Sequence, residues 1–426
     1  MSGLSRLAGA SRYLTAIVEQ GLFSLLNLGV VLVLGRLMTP EQFGACIFWF
    51  AVAYVLASVQ NAVSVAHLQV LPAAKGHDPL RLETERVMLA ATGVFLLLAA
   101  IGTALGAGFA SRAGAFGVWT AVLFVPAYLL QQYVRLTYFS RGEGLTATVQ
   151  TGAVLVVAVI LLGGGAFVFR PLTAEHVLGL MGAAYALIGL AGLWRASAGL
   201  RHGLSGALGG YLAYVRQSGW LFLGVSSTEI LARFYVFAVG AAYGPGVLAA
   251  LSFSQTFLRP APLLASSWSM AARSDLVAKR EARNWRGYVG LLGVSALAGV
   301  VFSILWAGVI WAAWPMITAF LFDDKYADAR WMLPLWGISA AFGFMQVVVS
   351  TGLQILKAFK ALALANAAAS AVAAAGVLWG IHHLGAGGAI LGTAAGQALE
   401  AAAMLAVLVV LIRRLSSEAR PRPRRG

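Results

Sequence analysis

The sequence predicts an all-α integral membrane protein of about twelve transmembrane helices, and three observations carry that prediction. Sixty per cent of the 426 residues are hydrophobic and only 11% are charged, against about 25% charged in a soluble domain. The apolar stretches run for about 20 residues, the length that crosses a hydrocarbon core of ~30 Å at ~1.5 Å per residue. They are rich in Leu, Ala, Val and Gly without strict alternation, so they read as helices and not as barrel strands.

Taken in order, the spans fall at 14–35, 46–71, 87–108, 117–138, 146–168, 176–197, 217–241, 246–271, 287–312, 331–353, 361–381 and 386–412. Arg6 and Arg12 precede the first, as they would in a signal peptide. That run is long, carries Glu19 and Asn27 and lacks a small-residue cleavage site, so it reads as a retained span. The single cysteine, Cys46, lies in an apolar helix and leaves the redox compartment open. All connections are short.

The distribution of basic residues supports an even number of spans with both termini in the cytoplasm. The cytoplasmic segments then hold Arg6 and Arg12; Lys75, Arg81 and Arg86; Arg135 and Arg141; Arg195, Arg201 and Arg216; Arg273, Lys279, Arg280, Arg283 and Arg286; Lys357 and Lys360; and the arginines from Arg413 to Arg425. Only Arg36, Arg112, Arg170, Lys325 and Arg330 remain for the outer loops. The net charge of +15 therefore faces the anionic inner leaflet, which argues against a nucleic-acid partner.

A weak internal repeat divides the spans six and six. "LGRLMTPEQFGACIFW" aligns with "VGAAYGPGVLAALSFS", Pro40 over Pro245, at an offset near half the chain. Parallel repeats of this kind are a transporter architecture with the substrate path between the halves. The reading is an N-terminal bundle over 1–200, a C-terminal bundle over 201–412, and a basic tail at 413–426, the two bundles enclosing a central cavity.

Enzymatic chemistry has little to stand on. No G-x-x-x-x-G-K-[ST] occurs, no Cys/His cluster has metal-ligand spacing, and no catalytic residue, metal or cofactor is expected. Asp323, Asp324 and Asp328 read as a solvated outer loop. The outer loops are too short for a membrane-embedded glycan polymerase or ligase.

Ionised side chains deep in a span cost at least ~2.5 kcal/mol even on insertion scales, so each is a functional candidate. Glu229 and Arg233 lie mid-span in helix seven, Arg259 in helix eight and Glu400 in helix twelve; Glu19 lies in the inner third of helix one. Glu229 and Arg233 are four apart and can neutralise each other. Arg259 has no local partner; it suits a phosphate, or pairs across helices with Glu400 or Glu229. Gln20 and Asn27 share a face of helix one, Gln60, Ser64 and His67 a face of helix two, and Gln131 and Arg135 a face of helix four. Such faces are either interhelical hydrogen-bond contacts or the lining of a wet cavity, and their recurrence favours the cavity. His67 alone reads as a packing residue.

The stretch "LGRLMTPEQFGACIFW" resembles the first-loop signature of bacterial polysaccharide flippases, with Arg36, Leu37, Pro40, Glu41, Phe43 and Gly44 retained. "LFDDKYADARWMLPLWGISAAFGFMQVVVSTGLQILKAFKALALANAAAS" and "HLGAGGAILGTAAGQALEAAAML" resemble the family's last three helices. The family belongs to the multidrug, oligosaccharidyl-lipid and polysaccharide exporter superfamily. The resemblance implies a V-shaped pair of six-helix bundles in a bacterial inner membrane. The cargo would be a polyprenyl-pyrophosphate-linked oligosaccharide, moved from the cytoplasmic to the periplasmic leaflet for O-antigen, lipopolysaccharide, capsule or exopolysaccharide export. It implies membrane lipids and a polysaccharide polymerase with other export machinery as partners. From position, Arg233 and Arg259 are expected to meet the pyrophosphate, with Gln20, Asn27, Gln60, Gln131 and Arg135 lining the cavity. Glu19, Glu229 or Glu400 would couple transport to protons or sodium. Family members often carry an acidic residue in helix seven near the position of Arg233; here the nearest is Glu229. A cation-coupled drug exporter of the same superfamily is the alternative. The lipid-linked peptidoglycan precursor flippases, which tend to fourteen spans, fit the span count less well.

Overall fold

A computed structural model describes residues 21–22, 26, 28–71, 78–114, 116–200 and 206–418. Among these residues there is no strand, and the helices in chain order are α1 (Leu28–Leu37), α2 (Pro40–Gln69), α3 (Pro79–Ala113), α4 (Ala121–Ser140), α5 (Gly144–Val168) and α6 (Ala174–Ala196). They continue as α7 (Val215–Thr256), α8 (Pro260–Glu281), α9 (Trp285–Phe322), α10 (Met332–Ile355), α11 (Phe359–Leu384) and α12 (Ala386–Glu418). Nine of the described helices are long and apolar enough to cross a membrane. Large apolar side chains such as Leu97, Leu98, Leu105 and Phe109 on α3, or Val294, Leu297 and Leu305 on α9, stand exposed along them, as lipid contact requires. The chain is a multi-pass membrane protein.

Local chemistry sets the helix starts. Thr39 accepts the Gln42 amide at 3.4 Å, ahead of Pro40 at the first helical position. Asp78 and Pro79 repeat that arrangement at α3, and Thr173 and His176 form a capping box at α6. α7 is not one helix. Gly244 adopts φ 77° and ψ −177°, a backbone region open only to glycine, and Pro245 restarts the helix there. A second interruption at 257–259 separates 245–256 from α8, so the expected span 246–271 is a bent pair rather than one continuous helix. Pro260, at the first position of α8, lacks the amide needed to carry the helix through.

The chain divides into two compact units, Met1–Ser226 with Gly244–Ala249, and Ser227–Tyr243 with Ala250–Gly426. In the first, α4 is the central helix, packed on α6, α3 and α2. Its Phe124 and Tyr128 join Phe50, Tyr54 and Tyr185 in a chain of ring contacts at 5.2–6.0 Å. A five-residue π turn, Asn61–Val65, widens α2. The Val63 carbonyl there accepts the Tyr211 hydroxyl at 2.8 Å, and His67 Nε2 lies 2.8 Å from Ser218 Oγ, which also accepts from Tyr211 at 2.9 Å. The connection before α7 is thereby fastened to α2.

At one end of this unit Glu85 is buried between two guanidiniums. Arg81 Nε donates to its Oε1 at 3.0 Å, while Arg141 donates from Nε to Oε1 at 3.1 Å and from Nη2 to Oε2 at 2.7 Å. Arg81 also reaches Ser140 Oγ, and Arg141 the Ala196 carbonyl, both at 2.9 Å. The group ties α3 to the ends of α4 and α6. Burial opposes the charge on Arg141, but the hydrogen bonds and charge of Glu85 outweigh it and hold the guanidinium above its ordinary pKa.

In the second unit α11 and α12 pack most closely. Gly376 faces Gly392 and Gly380 faces Gly388, backbone against backbone. These are two facing small-xxx-small pairs, the pattern that lets membrane helices approach without side chains between them.

Candidate functional site

Two full-length helices are absent from the nine apolar ones: α4 and α8. Polar residues in both have to be sheltered from lipid. α4 solves this by burial. Gln131 and Gln132 are buried, Gln132 Nε2 donates to Gln131 Oε1 at 3.1 Å, and Arg135 Nη1 donates to Gln132 Oε1 at 2.9 Å. The predicted Gln131–Arg135 face is thus an internal relay through Gln132, which the spacing alone did not single out.

α8 does not bury its polar side. Ala261, Ala265, Ala272 and Leu276 form its buried face, packed with Tyr288, Val348 and Leu353 of α9 and α10. Ser266, Ser267, Arg273 and Ser274 are exposed, alongside Leu263 and Met270. Arg273 is steadied by Gln354 Oε1 at 2.8 Å, and Ser269 lies 2.7 Å from the Thr351 hydroxyl. Arg259 stands at the head of this face, exposed, as the residue immediately before α8 rather than mid-helix. It forms no ion pair with any described residue, so neither cross-helix partner expected from the sequence holds it.

Glu229 and Arg233 do pair, Nε to Oε2 at 2.7 Å, with side-chain exposures of 14% and 35% that leave the guanidinium reachable. The Tyr235 hydroxyl donates to Gln255 Oε1 at 2.6 Å, which ties the segment two residues after Arg233 to the one four residues before Arg259. Of the two arginines one is neutralised by an ion pair, and the other forms none with a described residue. Neither Tyr235 nor Gln255 was singled out in the sequence; only their place between the charged positions could have pointed to them.

Glu400 is 1% exposed and accepts from Asn366 Nδ2 at 3.1 Å, while its Oε2 is buried with no hydrogen-bond partner among the described residues. Gln397, three residues earlier on α12, accepts from Ser339 at 2.7 Å, so a polar layer crosses α10, α11 and α12. Gln60 is buried in α2 at the edge of the π turn with Nε2 unpartnered, and its carbonyl accepts from Ser64 at 2.8 Å. His67, on the same face, is engaged by Ser218. Glu19, Gln20 and Asn27 lie outside the described residues. Among the described residues no cluster of three or more His, Cys, Asp and Glu side chains could hold a metal ion.

No protein-family model matches the chain, and no curated protein matches it in sequence. Solved structures do match. The lipid II flippase MurJ in an inward closed conformation superposes with a TM-score of 0.72 over 95% of this chain and 90% of that one, at 14% identity. The likeness is one of fold. An inward-facing multidrug-resistance MATE family transporter of the MOP superfamily gives 0.61 over 95% and 100% of the two chains at 14% identity. The eukaryotic MATE transporter AtDTX14 gives 0.56 over 97% and 98% at 16%. The shared fold bears out the all-α, roughly twelve-helix expectation, and the neighbours are named as a flippase and transporters.

Proposed function

We propose that this protein is a flippase that moves a polyprenyl-pyrophosphate-linked oligosaccharide from the cytoplasmic to the periplasmic leaflet for surface polysaccharide export. The observation that carries the reading is Arg259, an exposed guanidinium without an ion-pair partner among the described residues, heading an α8 face on which serines and Arg273 alternate with Leu263 and Met270. A purely apolar cargo has no use for the charge, and a purely polar one has none for the leucine and methionine. An amphiphile with a phosphate at its junction uses both. A structural neighbour is named as a lipid II flippase, which adds weight to a lipid-linked substrate.

On this reading the six-and-six division flanks the path, both termini lie in the cytoplasm of a bacterial inner membrane, and a polysaccharide polymerase accepts the product. Arg233 assists Arg259, and Glu229 or Glu400 carries the coupling proton or cation. The MATE neighbours and the unpartnered Glu400 Oε2 favour a second reading, a cation-coupled drug exporter.

The deciding experiment is deletion followed by a leaflet assay of the lipid-linked glycan. Accumulation on the cytoplasmic side, rescued by wild type but not by Arg259→Ala at equal protein level, supports the flippase. Normal glycan export with altered drug sensitivity overturns it in favour of the exporter.

A further inference from the structure

The Arg81–Glu85–Arg141 group floors a cavity of about 370 Å³ that also meets Asp78, Glu143 and Arg195, within the lower range of small-molecule sites, roughly 300–1,000 Å³. It lies wholly within the first unit, at the start of α3 and α5 and the end of α4 and α6. Its charges are of two kinds. Glu85 is shared by the two arginines beside it, and both Nη1 protons of Arg141 have no acceptor among the described residues. Arg195 is exposed on the rim and donates no hydrogen bond to a described residue. Opposite in sign, Glu143 is exposed and its carboxylate accepts none, and Asp78 spends one oxygen on the Leu80 amide at 3.1 Å.

A bare anion would find the arginines but also two uncompensated carboxylates. A bare cation would meet the reverse. A phosphate joined by a short linker to a primary ammonium satisfies both, the phosphate on guanidinium N–H groups and the ammonium on carboxylate oxygens. The rim identifies the source of that group. Trp194 is 68% exposed and Leu145 67% exposed, each next to a lining residue or two away, and a tryptophan beside an arginine at a helix end marks the membrane interface.

We propose that this cavity binds the headgroup of a phospholipid bearing a primary amine, phosphate toward Arg141 and Arg195 and ammonium toward Glu143 and Asp78.

The test uses the full-length protein in nanodiscs made of phosphatidylethanolamine, phosphatidylcholine or phosphatidylglycerol with identical acyl chains. Native mass spectrometry then counts lipid retained after transfer to detergent. Retention of phosphatidylethanolamine about tenfold above phosphatidylcholine, whose methylated nitrogen donates no hydrogen bond, is expected for one charge-assisted bond. Phosphatidylglycerol, with phosphate but no amine, should also fall below it. Glu143→Gln should lower the preference severalfold, and Arg195→Ala, which removes a phosphate contact common to the three lipids, should lower retention of all of them; both side chains are exposed, and unchanged elution and melting temperature show that the variants fold. Equal retention of the three lipids, a preference for phosphatidylglycerol, wild-type selectivity in Glu143→Gln, or wild-type retention in Arg195→Ala overturns the proposal. If soluble phosphoethanolamine raises the melting temperature of the detergent-purified protein while phosphatidylethanolamine nanodiscs show no selectivity, the ligand is the free phosphoamine and the lipid assignment fails.

Discussion

Gly44, in the first turn of α2, packs its α carbon directly on the Pro245 carbonyl, and Glu41 Oε1 lies 3.2 Å from where a Cβ on Gly246 would stand. Pro40 and Pro245 are the two prolines that the sequence repeat superposes, so the matching turns of the repeat touch one another. A Cβ at position 44 would overlap backbone rather than the tip of a flexible side chain, and the backbone has to move to admit it. Gly44→Val should therefore cost about 1–3 kcal/mol, as overpacking does, read as a lower unfolding midpoint in denaturant. At Gly21 and Gly29 a Cβ would have nothing within 4 Å of it, so both should accept alanine with no such loss. Equal sensitivity at all three positions would remove the special standing of Gly44.

The α11–α12 seam makes a second steric prediction. Gly380 and Gly388 approach so closely that a methyl on either meets the backbone of the other, and Gly396 packs on the side chains of Ala373 and Leu231. Close packing of small residues supplies the attraction between membrane helices where lipid removes the hydrophobic one. Gly380→Leu should prise the helices apart and lower the yield of folded protein. Gly163→Leu and Gly164→Leu on α5, where glycine has open space around it, should not.

The helices were legible in the sequence because each apolar run is bounded by charge or by a turn residue, and no tertiary contact is needed to see it. The break of the eighth span was not, since residues 246–271 contain enough apolar side chains to look continuous. Pro245 and Pro260 mark its two bends, and a proline in an apolar run is equally compatible with a first-turn position or a kink. The Glu229–Arg233 pair could be read from its spacing of four, because both partners sit on one helix. Arg81, Glu85 and Arg141 could not be read as a group: the first two share α3, but Arg141 arrives from another hairpin, and all the arginines serve the topology equally well. Likewise Gln131 and Arg135 could be placed on one face from their spacing, but only packing reveals that α4 buries its glutamines while α8 leaves Ser266, Ser267 and Arg273 exposed.

The Glu229–Arg233 pair admits a test of whether it is structure or site. With Arg233 35% exposed, the pair is partly screened, and losing one partner should cost about 1 kcal/mol, well short of the ~3–5 kcal/mol for a buried pair. Arg233→Gln and Glu229→Gln each leave one charge alone, whereas the double variant leaves none. A neutralising pair predicts that the double variant regains transport along with stability. A substrate-facing Arg233 predicts that stability returns and the leaflet assay stays negative, and this is the outcome expected from its reachable guanidinium.

Glu85 sets the opposite case. Its side chain is 4% exposed, that of Arg81 3% and that of Arg141 16%, so water does little to screen the three charges. Glu85→Gln keeps the shape but replaces a carboxylate serving two guanidiniums with an amide whose nitrogen is itself a donor. Two cations would then face each other across a buried, donor-rich gap. The expected loss is about 3–5 kcal/mol, and it should be nearly independent of salt because a pair shielded from solvent is little screened. A chemical-unfolding series at low and high ionic strength measures both. A loss below about 1 kcal/mol that fades with salt would mean that the group behaves as a surface ion pair, and that the cavity above it lacks the fixed guanidinium floor on which headgroup binding depends.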